Sequence, residues 1–517
     1  MRLALALALA AVPAAPLAAQ TVLSDYESAA RAKEMRANTV WRLAFRPTLM
    51  VLEQAVAILG RDAPPAARTR AEALVAEAKG KDEPTARRLL TEAAAVLQGQ
   101  AWSPDTALVD SLSIRPERAV LDGGRQTVTI AALYPTSGAK PARYTIDLLR
   151  AEPTSSATPR RGALVRRLAS GSVGALPARP GVALTGVEDG VYILLATFRT
   201  ASGAVSEAAA PVYLVRDLAA RHARVRTRLA RIAGHEAARQ TAEYPYALAE
   251  AINAGTREVI AYDFAAAMTR SDAIVTALEQ GRDPVARATG LQDRAYRFAD
   301  TGELVPYQLY VPKAWTPGRA WPLVVALHGA NLDERNMLGR ADARMQALAE
   351  QHGMIVVAPL GYRINSGYGS ERGLNVVIGD DAMRRRRSEQ DVLAVADLIA
   401  AEYGTDPART YLTGNSMGGA GTWWIGGHHP DRWAAIAPAA YGGVTAADVA
   451  GLSKLPILAV VGEKDELGMA DRVRASVAVL KAGGVEPQLL VVPGGTHASG
   501  FDIAMPKIFD FFESHRR

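Results

Sequence analysis

The sequence predicts a multi-domain protein that ends in a mostly parallel β-sheet with helices on both faces. A helical region interrupted by a small β-sandwich precedes it. Three observations carry this expectation. From about Asp293 to the C-terminus, apolar runs of strand length alternate with helical patterns, the signature of a parallel sheet covered by helices. Between about Trp102 and Asp217, short alternating runs are separated by turn signals. On either side of that stretch, apolar residues return at spacings of three and four.

The first helical region is expected over 21–101. Pro47 suits a first helical turn, and Leu49, Leu52, Val56 and Leu59 then form one apolar stripe that Gly60 and Pro64-Pro65 end. Helices near Ala66–Lys79 and Pro84–Leu97 follow, the second entered through Asp82 and Pro84. Over 102–217 the period becomes two, in Arg125–Leu133, Arg143–Leu149 and Val191–Phe198, with turns at Asp122-Gly123-Gly124, Ser137-Gly138 and Ser202-Gly203. The expectation is a β-sandwich of immunoglobulin-like size. Arg160 to Pro180 reads as a surface loop. Over 218–290 the helical period returns, with Leu218, Val225, Leu229 and Ile232 on one face and Arg221, Arg224, Arg228 and Arg231 along its flank. The simplest packing joins the helices before and after the sandwich in one bundle.

Composition excludes several classes of function. A chain of 517 residues without cysteine has no disulfides, thiol nucleophile, cysteine-bound zinc or iron–sulfur cluster. A net charge of +6 is too small a surplus on this length to argue for nucleic acid, which calls for a concentrated basic face. Past the first dozen residues no apolar run approaches the ~20 needed to span a bilayer. Met1-Arg2, the apolar run Leu3–Val12 and the alanine-rich exit to Ala19 read instead as a signal peptide over 1–19. An exported protein, periplasmic or secreted, is expected. No P-loop, dinucleotide fingerprint or HExxH is present, so neither cofactor nor catalytic metal is expected.

The chemistry points to residues 291–517. There the strand-like Thr410–Thr413 runs directly into Gly414-Asn415-Ser416-Met417-Gly418-Gly419, with a helix beyond. Strand, G-x-S-x-G and helix in that order describe a nucleophile elbow, a turn tight enough to need small residues at Gly414 and Gly418. A serine hydroxyl is a weak nucleophile and needs a base, and the base needs an orienting acid. Of the eight histidines, His497 alone lies in the loop just after the last predicted strand. Asp465 follows the strand ending at Val461, with Glu463 and Glu466 as rivals. The order Ser416, Asp465, His497 is that of α/β-hydrolases.

An oxyanion would need two N–H donors. Met417, after the nucleophile, is one; Ala330, or Gly329, in the loop His328-Gly329-Ala330-Asn331 is the other. His328, Asn331, Tyr362 and Trp423 are candidate substrate contacts. The polar stretch 361–388 is expected to overhang the site, and its run Arg384–Arg387 reads as solvated and paired with neighbouring acids.

These motifs carry a resemblance. Tyr307–Pro312, Pro322–Gly329, Asp406-Pro-Ala-Arg409 and Gly414–Gly419 resemble the secreted α/β-hydrolase esterases. The nearest groups are the feruloyl-esterase and polyhydroxybutyrate-depolymerase-like enzymes and the related "predicted peptidase" group, some with an immunoglobulin-like domain before the hydrolase. The resemblance covers about 225 C-terminal residues and says little about 21–290. It implies a Ser416–Asp465–His497 triad and hydrolysis of a small or polymeric ester. The alternative is a serine peptidase of prolyl-oligopeptidase-like type, with the N-terminal region as a binding or spacer module.

Overall fold

The structure, a computed structural model, describes residues 25–152, 158–258, 262–371 and 381–517. The expected signal peptide and residues 372–380 of the overhanging stretch lie outside the described residues.

Helices α1 (Asp25–Leu43), α2 (Leu49–Gly60), α3 (Pro65–Ala78) and α4 (Glu83–Leu97) come first. Their apolar stripes meet in small cores of their own, with Leu52, Val56, Leu59, Leu89, Leu90 and Leu97 buried. Helix α5 (Pro104–Ser111) starts at Ser103, whose side chain accepts from Thr106 N–H, and at Pro104, which has no N–H to leave unpaired.

Eight strands follow: β1 (Leu112–Pro116), β2 (Val120–Leu121), β3 (Arg125–Ala132), β4 (Ala142–Glu152), β5 (Arg160–Val173), β6 (Gly181–Ala183), β7 (Gly190–Thr200) and β8 (Val205–Leu214). They form one sheet in the order β1-β3-β6 and another in the order β2-β8-β7-β4-β5. Val128 and Ile130 of the first share a core with Ile146, Leu148 and Leu194 of the second.

Two expectations are corrected here. Arg160–Val173 is not a loop but a long edge strand, antiparallel to β4. Ten of its fourteen residues are exposed, so the sequence carries no apolar alternation there, and arginines keep the edge soluble. The flanking helices do not form one bundle either. Helices α6 (Leu218–Leu229), α7 (Glu236–Asn253) and α8 (Phe264–Glu279) cover the outer face of β7 and β8, where Ile193, Leu195 and Tyr213 join Val225, Tyr246 and Met268. A strand buried on both faces needs such a cover. The arginines of α6 turn outward to acids: Arg221 pairs with Asp189 at 2.9 Å and Arg228 with Glu279 at 2.7 Å.

The C-terminal part is one eight-stranded sheet. It contains β9 (Gly290–Arg297), β10 (Leu304–Val311), β11 (Trp321–Leu327), helix α9 (Arg335–His352), β12 (Ile355–Pro359), α10 (Ala382–Tyr403), β13 (Thr405–Asn415), α11 (Met417–His428), β14 (Ala435–Ala439), β15 (Leu458–Gly462), α12 (Met469–Ala482), β16 (Gln488–Val492) and α13 (Ser499–Glu513). The order is β16-β15-β14-β13-β11-β12-β10-β9, with β10 antiparallel to its neighbours and the others parallel. All seven residues of β11 are buried because helices cover both faces. Helices α9 and α13 pack one face through Leu338, Met345, Phe501 and Phe509. Helices α10, α11 and α12 pack the other through Val395, Ile399, Trp423 and Val477.

From β11 the chain continues to β12 on one side, and β13 lies on the other. That reversal makes the carboxyl ends of β11 and β13 the switch point of the sheet, the place where ligands of open α/β sheets bind.

Candidate active site

Ser416 stands at the carboxyl end of β13. It joins β13 to α11 at φ 59° and ψ −117°, a conformation that L-residues avoid. The turn is held because Ser416 N–H donates to Ala439 O at 3.0 Å, and because its flanks carry no side chains. A Cβ on Gly414 would lie 2.5 Å from the Gly418 carbonyl, and one on Gly418 would lie 2.1 Å from Leu327 O. As the first residue of α11, Met417 has an N–H without an intrahelical acceptor, at the positive end of the helix.

His497 and Asp465 meet on the same edge of the sheet, in the loops after β16 and β15. His497 Nδ1 lies 2.8 Å from Asp465 Oδ2, and the Asp465 side chain is wholly buried. Burial opposes ionisation of Asp465. The hydrogen bond and charge of His497, with the N–H groups of Leu467 and Met469, outweigh burial and hold the carboxyl below its ordinary range. The rival acids serve the loops instead: Glu463 accepts from Gly494 N–H and Glu466 from His497 N–H, each at 2.9 Å. Among the described residues no hydrogen bond joins Ser416 to His497, a contact that tightens in many hydrolytic sites only when substrate is bound.

The loop after β11 faces Ser416. A Cβ on Gly329 would lie 3.6 Å from Ser416 Cβ. Asn331, at φ 60°, and Asn365 form a reciprocal clamp. Asn331 N–H donates to Asn365 Oδ1 at 2.8 Å, and Asn365 Nδ2 donates to Asn331 Oδ1 at 2.9 Å. The clamp sets the backbone direction just after Ala330.

Three of the candidate substrate contacts are turned inward. His328 is fully buried, with its ring nitrogens each 2.9 Å from a carbonyl, those of Gly329 and Leu360, so it ties the loop to the end of β12. Trp423 is buried and donates to Tyr441 O at 3.0 Å, bracing α11 against the chain after β14. Tyr362 is buried against Phe298 and Arg363. Asn331 alone of the four stays partly open. The run Arg384–Arg387 is spent on acids, Arg387 reaching Asp300 at 2.6 Å and Arg384 facing Asp381.

Sequence reasoning missed Asn365 and Asp391. Buried Asp391 accepts from Tyr296 hydroxyl and from the N–H groups of Gly361 and Tyr362, which anchors the stretch carrying Asn365. Burial pushes its carboxyl up to about 6 despite those donors. The folded state therefore holds this proton more tightly than the unfolded chain. Its contribution to stability falls as pH rises from about 4 to about 6 and is level on either side. Thermal melts of the wild type and Asp391→Asn across this range check it: the difference between their midpoints should drift against the wild type up to about pH 6, and a constant difference would refute the assignment.

Among the described residues no group of three or more His, Asp or Glu side chains is placed to hold a metal ion. No described helix is long and apolar enough to cross a membrane.

Comparison with known proteins adds to this geometry. Residues 299–478 match the model of a family described as "Putative esterase". A bifunctional acetylxylan esterase/xylanase of Neocallimastix patriciarum is 28% identical over 163 residues, 31% of this chain and 21% of the relative. A poly(3-hydroxyalkanoate) depolymerase C of Paucimonas lemoignei is 31% identical over 121 residues, 23% of this chain and 28% of the relative. The chain thus spans less than a third of the length of these curated relatives. Among solved structures, a CE1 ferulic acid esterase from Anaeromyces mucronatus is similar with a TM-score of 0.36 and 17% identity, over 45% of this chain and 93% of that one. The C-terminal region is thus similar to esterases over residues 299–478, which span β10 to α12 of the eight-stranded sheet.

Proposed function

We propose that the chain is an exported serine hydrolase of carboxylic esters, working through an acyl-enzyme on Ser416. The observation that carries the reading is the left-handed Ser416 between β13 and α11, on the same sheet edge as the buried pair His497–Asp465. Ser416 Oγ attacks the ester carbonyl carbon while His497 Nε2 takes its proton. The oxyanion is held by the N–H groups of Met417 and Ala330. His497 then returns the proton to the departing alkoxide, leaving Ser416 acylated. Water, deprotonated by His497, attacks the acyl carbon, and His497 passes that proton to the departing Ser416 Oγ as the acid is released. Asp465 keeps Nδ1 protonated and the ring oriented, and it stabilises the imidazolium.

Residues 291–517 form the catalytic domain in this reading. The helices of 21–101 and 218–290 and the immunoglobulin-like sandwich of 102–217 act as a spacer or interaction module. Export follows from the N-terminal signal pattern. The names of the relatives suggest acetylated xylan and polyhydroxyalkanoate as esters to try first.

The test is a panel of p-nitrophenyl acetate and butyrate, acetylated xylan, polyhydroxybutyrate and peptide p-nitroanilides, with wild type and Ser416→Ala. Turnover of esters is expected, with loss of about 10⁴-fold or more in the variant. Cleavage of anilides in preference to esters would favour a peptidase. Ester turnover that survives in Ser416→Ala would overturn the reading.

A further inference from the structure

Helix α9 begins a few residues beyond the loop that faces Ser416, and it is broken in its first half. Arg340 is extended, and Ala341, Asp342 and Ala343 all adopt φ between 49° and 59°, with no glycine among them. Three successive left-handed L-residues persist only where their surroundings hold them.

What holds them is the end of the chain that carries His497. Arg340 Nη2 donates to the carbonyl of Ala498, the residue after His497, at 3.1 Å. Its Nε lies 2.6 Å from Asp502 Oδ1, and its guanidinium sits 5.0 Å from the centre of the Phe501 ring. The Arg340 side chain is only 9% exposed. On the far side of the break, Arg344 donates to Asp502 O at 3.1 Å. With the backbone in this conformation the guanidinium reaches the His497 loop.

We propose that Arg340 is a positioning residue that ties helix α9 to the loop bearing His497. One side chain, fixed to the segment that follows Ala330, fastens the backbone beside the base. The catalytic meaning of the clamp rests on the function proposed above; the clamp itself does not. One guanidinium both donates to Ala498 O and sets its charge beside Asp502, because its nitrogens are spread over a plane, which an ammonium lacks.

The experiment is amide hydrogen exchange followed by mass spectrometry on the full chain, beside ester kinetics, for wild type, Arg340→Ala and Arg340→Lys. In Arg340→Ala, peptides covering 493–502 should exchange about tenfold faster, while those of β11 and β13 keep their wild-type rates. The turnover number should fall about 10- to 100-fold with KM within about twofold, and Arg340→Lys should lie between. Should Arg340→Ala fail to fold, Arg340→Lys carries the test, with about threefold faster exchange confined to 493–502. Wild-type exchange in this loop, or faster exchange spread evenly over the sheet, would overturn the proposal. A wild type inactive on every ester would sink the esterase reading, and the exchange data would still decide the clamp.

Discussion

Replacing Asp465 by Asn lowers the turnover number on the order of 10⁴-fold while KM changes little. Asp465 has no access to substrate, since its side chain is wholly buried beneath His497. In the proposed mechanism it accepts from Nδ1, which leaves Nε2 free to take the Ser416 proton. An asparagine of the same shape can instead donate to the ring and favour the wrong tautomer. The two neighbouring carboxylates make this sharp. Glu463→Gln and Glu466→Gln each keep an oxygen for the N–H they now accept, from Gly494 and from His497. They should stay within about tenfold of wild type. Steady-state kinetics of the three variants on one ester decide the matter, and a larger loss in either glutamine variant than in Asp465→Asn would move the acid away from Asp465.

Gly418→Ala should be the most destabilising small change in the elbow. The added Cβ would lie 2.1 Å from Leu327 O and 2.9 Å from His328 O. Both are backbone atoms of the central strand and of the loop facing Ser416, so neither can swing aside. The expected loss is about 3–5 kcal/mol, the size of other severe core overpacking. The same substitution at Gly427, near the end of the same helix, is the control. There the Cβ would meet only Leu452 side-chain carbons at 3.5–3.6 Å, and the helix would gain alanine's better propensity by up to about 1 kcal/mol. Chemical denaturation of both variants checks the pair; equal stability would mean that β11 and α11 are not packed as closely as described.

The elbow was readable from the sequence because its determinants lie within six residues, with strand and helix on either side. His497 and Asp465 were readable for a related reason: each sits in the first loop after an apolar strand, and the sheet brings those loop ends to one edge. The sequence could not reveal contacts between distant segments. Asn365 clamps Asn331 from 34 residues away, and Arg340 reaches Ala498 across 158. Neither has a local pattern. Strand β5 escaped notice because an exposed edge strand needs no alternation, and its arginines read as loop. His328, Tyr362 and Trp423 are polar or aromatic residues close to the motif, and sequence alone does not separate bracing from contact with substrate. Their hydrogen bonds and rings are instead turned inward, to hold the loops that shape the site.

The most direct test of the central claim is covalent. The full chain is incubated with a p-nitrophenyl phosphonate, ester hydrolysis is followed as it is lost, and the modified peptide is located by mass spectrometry. One phosphonyl group is expected on Ser416, with p-nitrophenolate released in equal amount and hydrolysis falling in step. Modification of another residue in step with lost hydrolysis, or full hydrolysis in protein phosphonylated at Ser416, would contradict that claim.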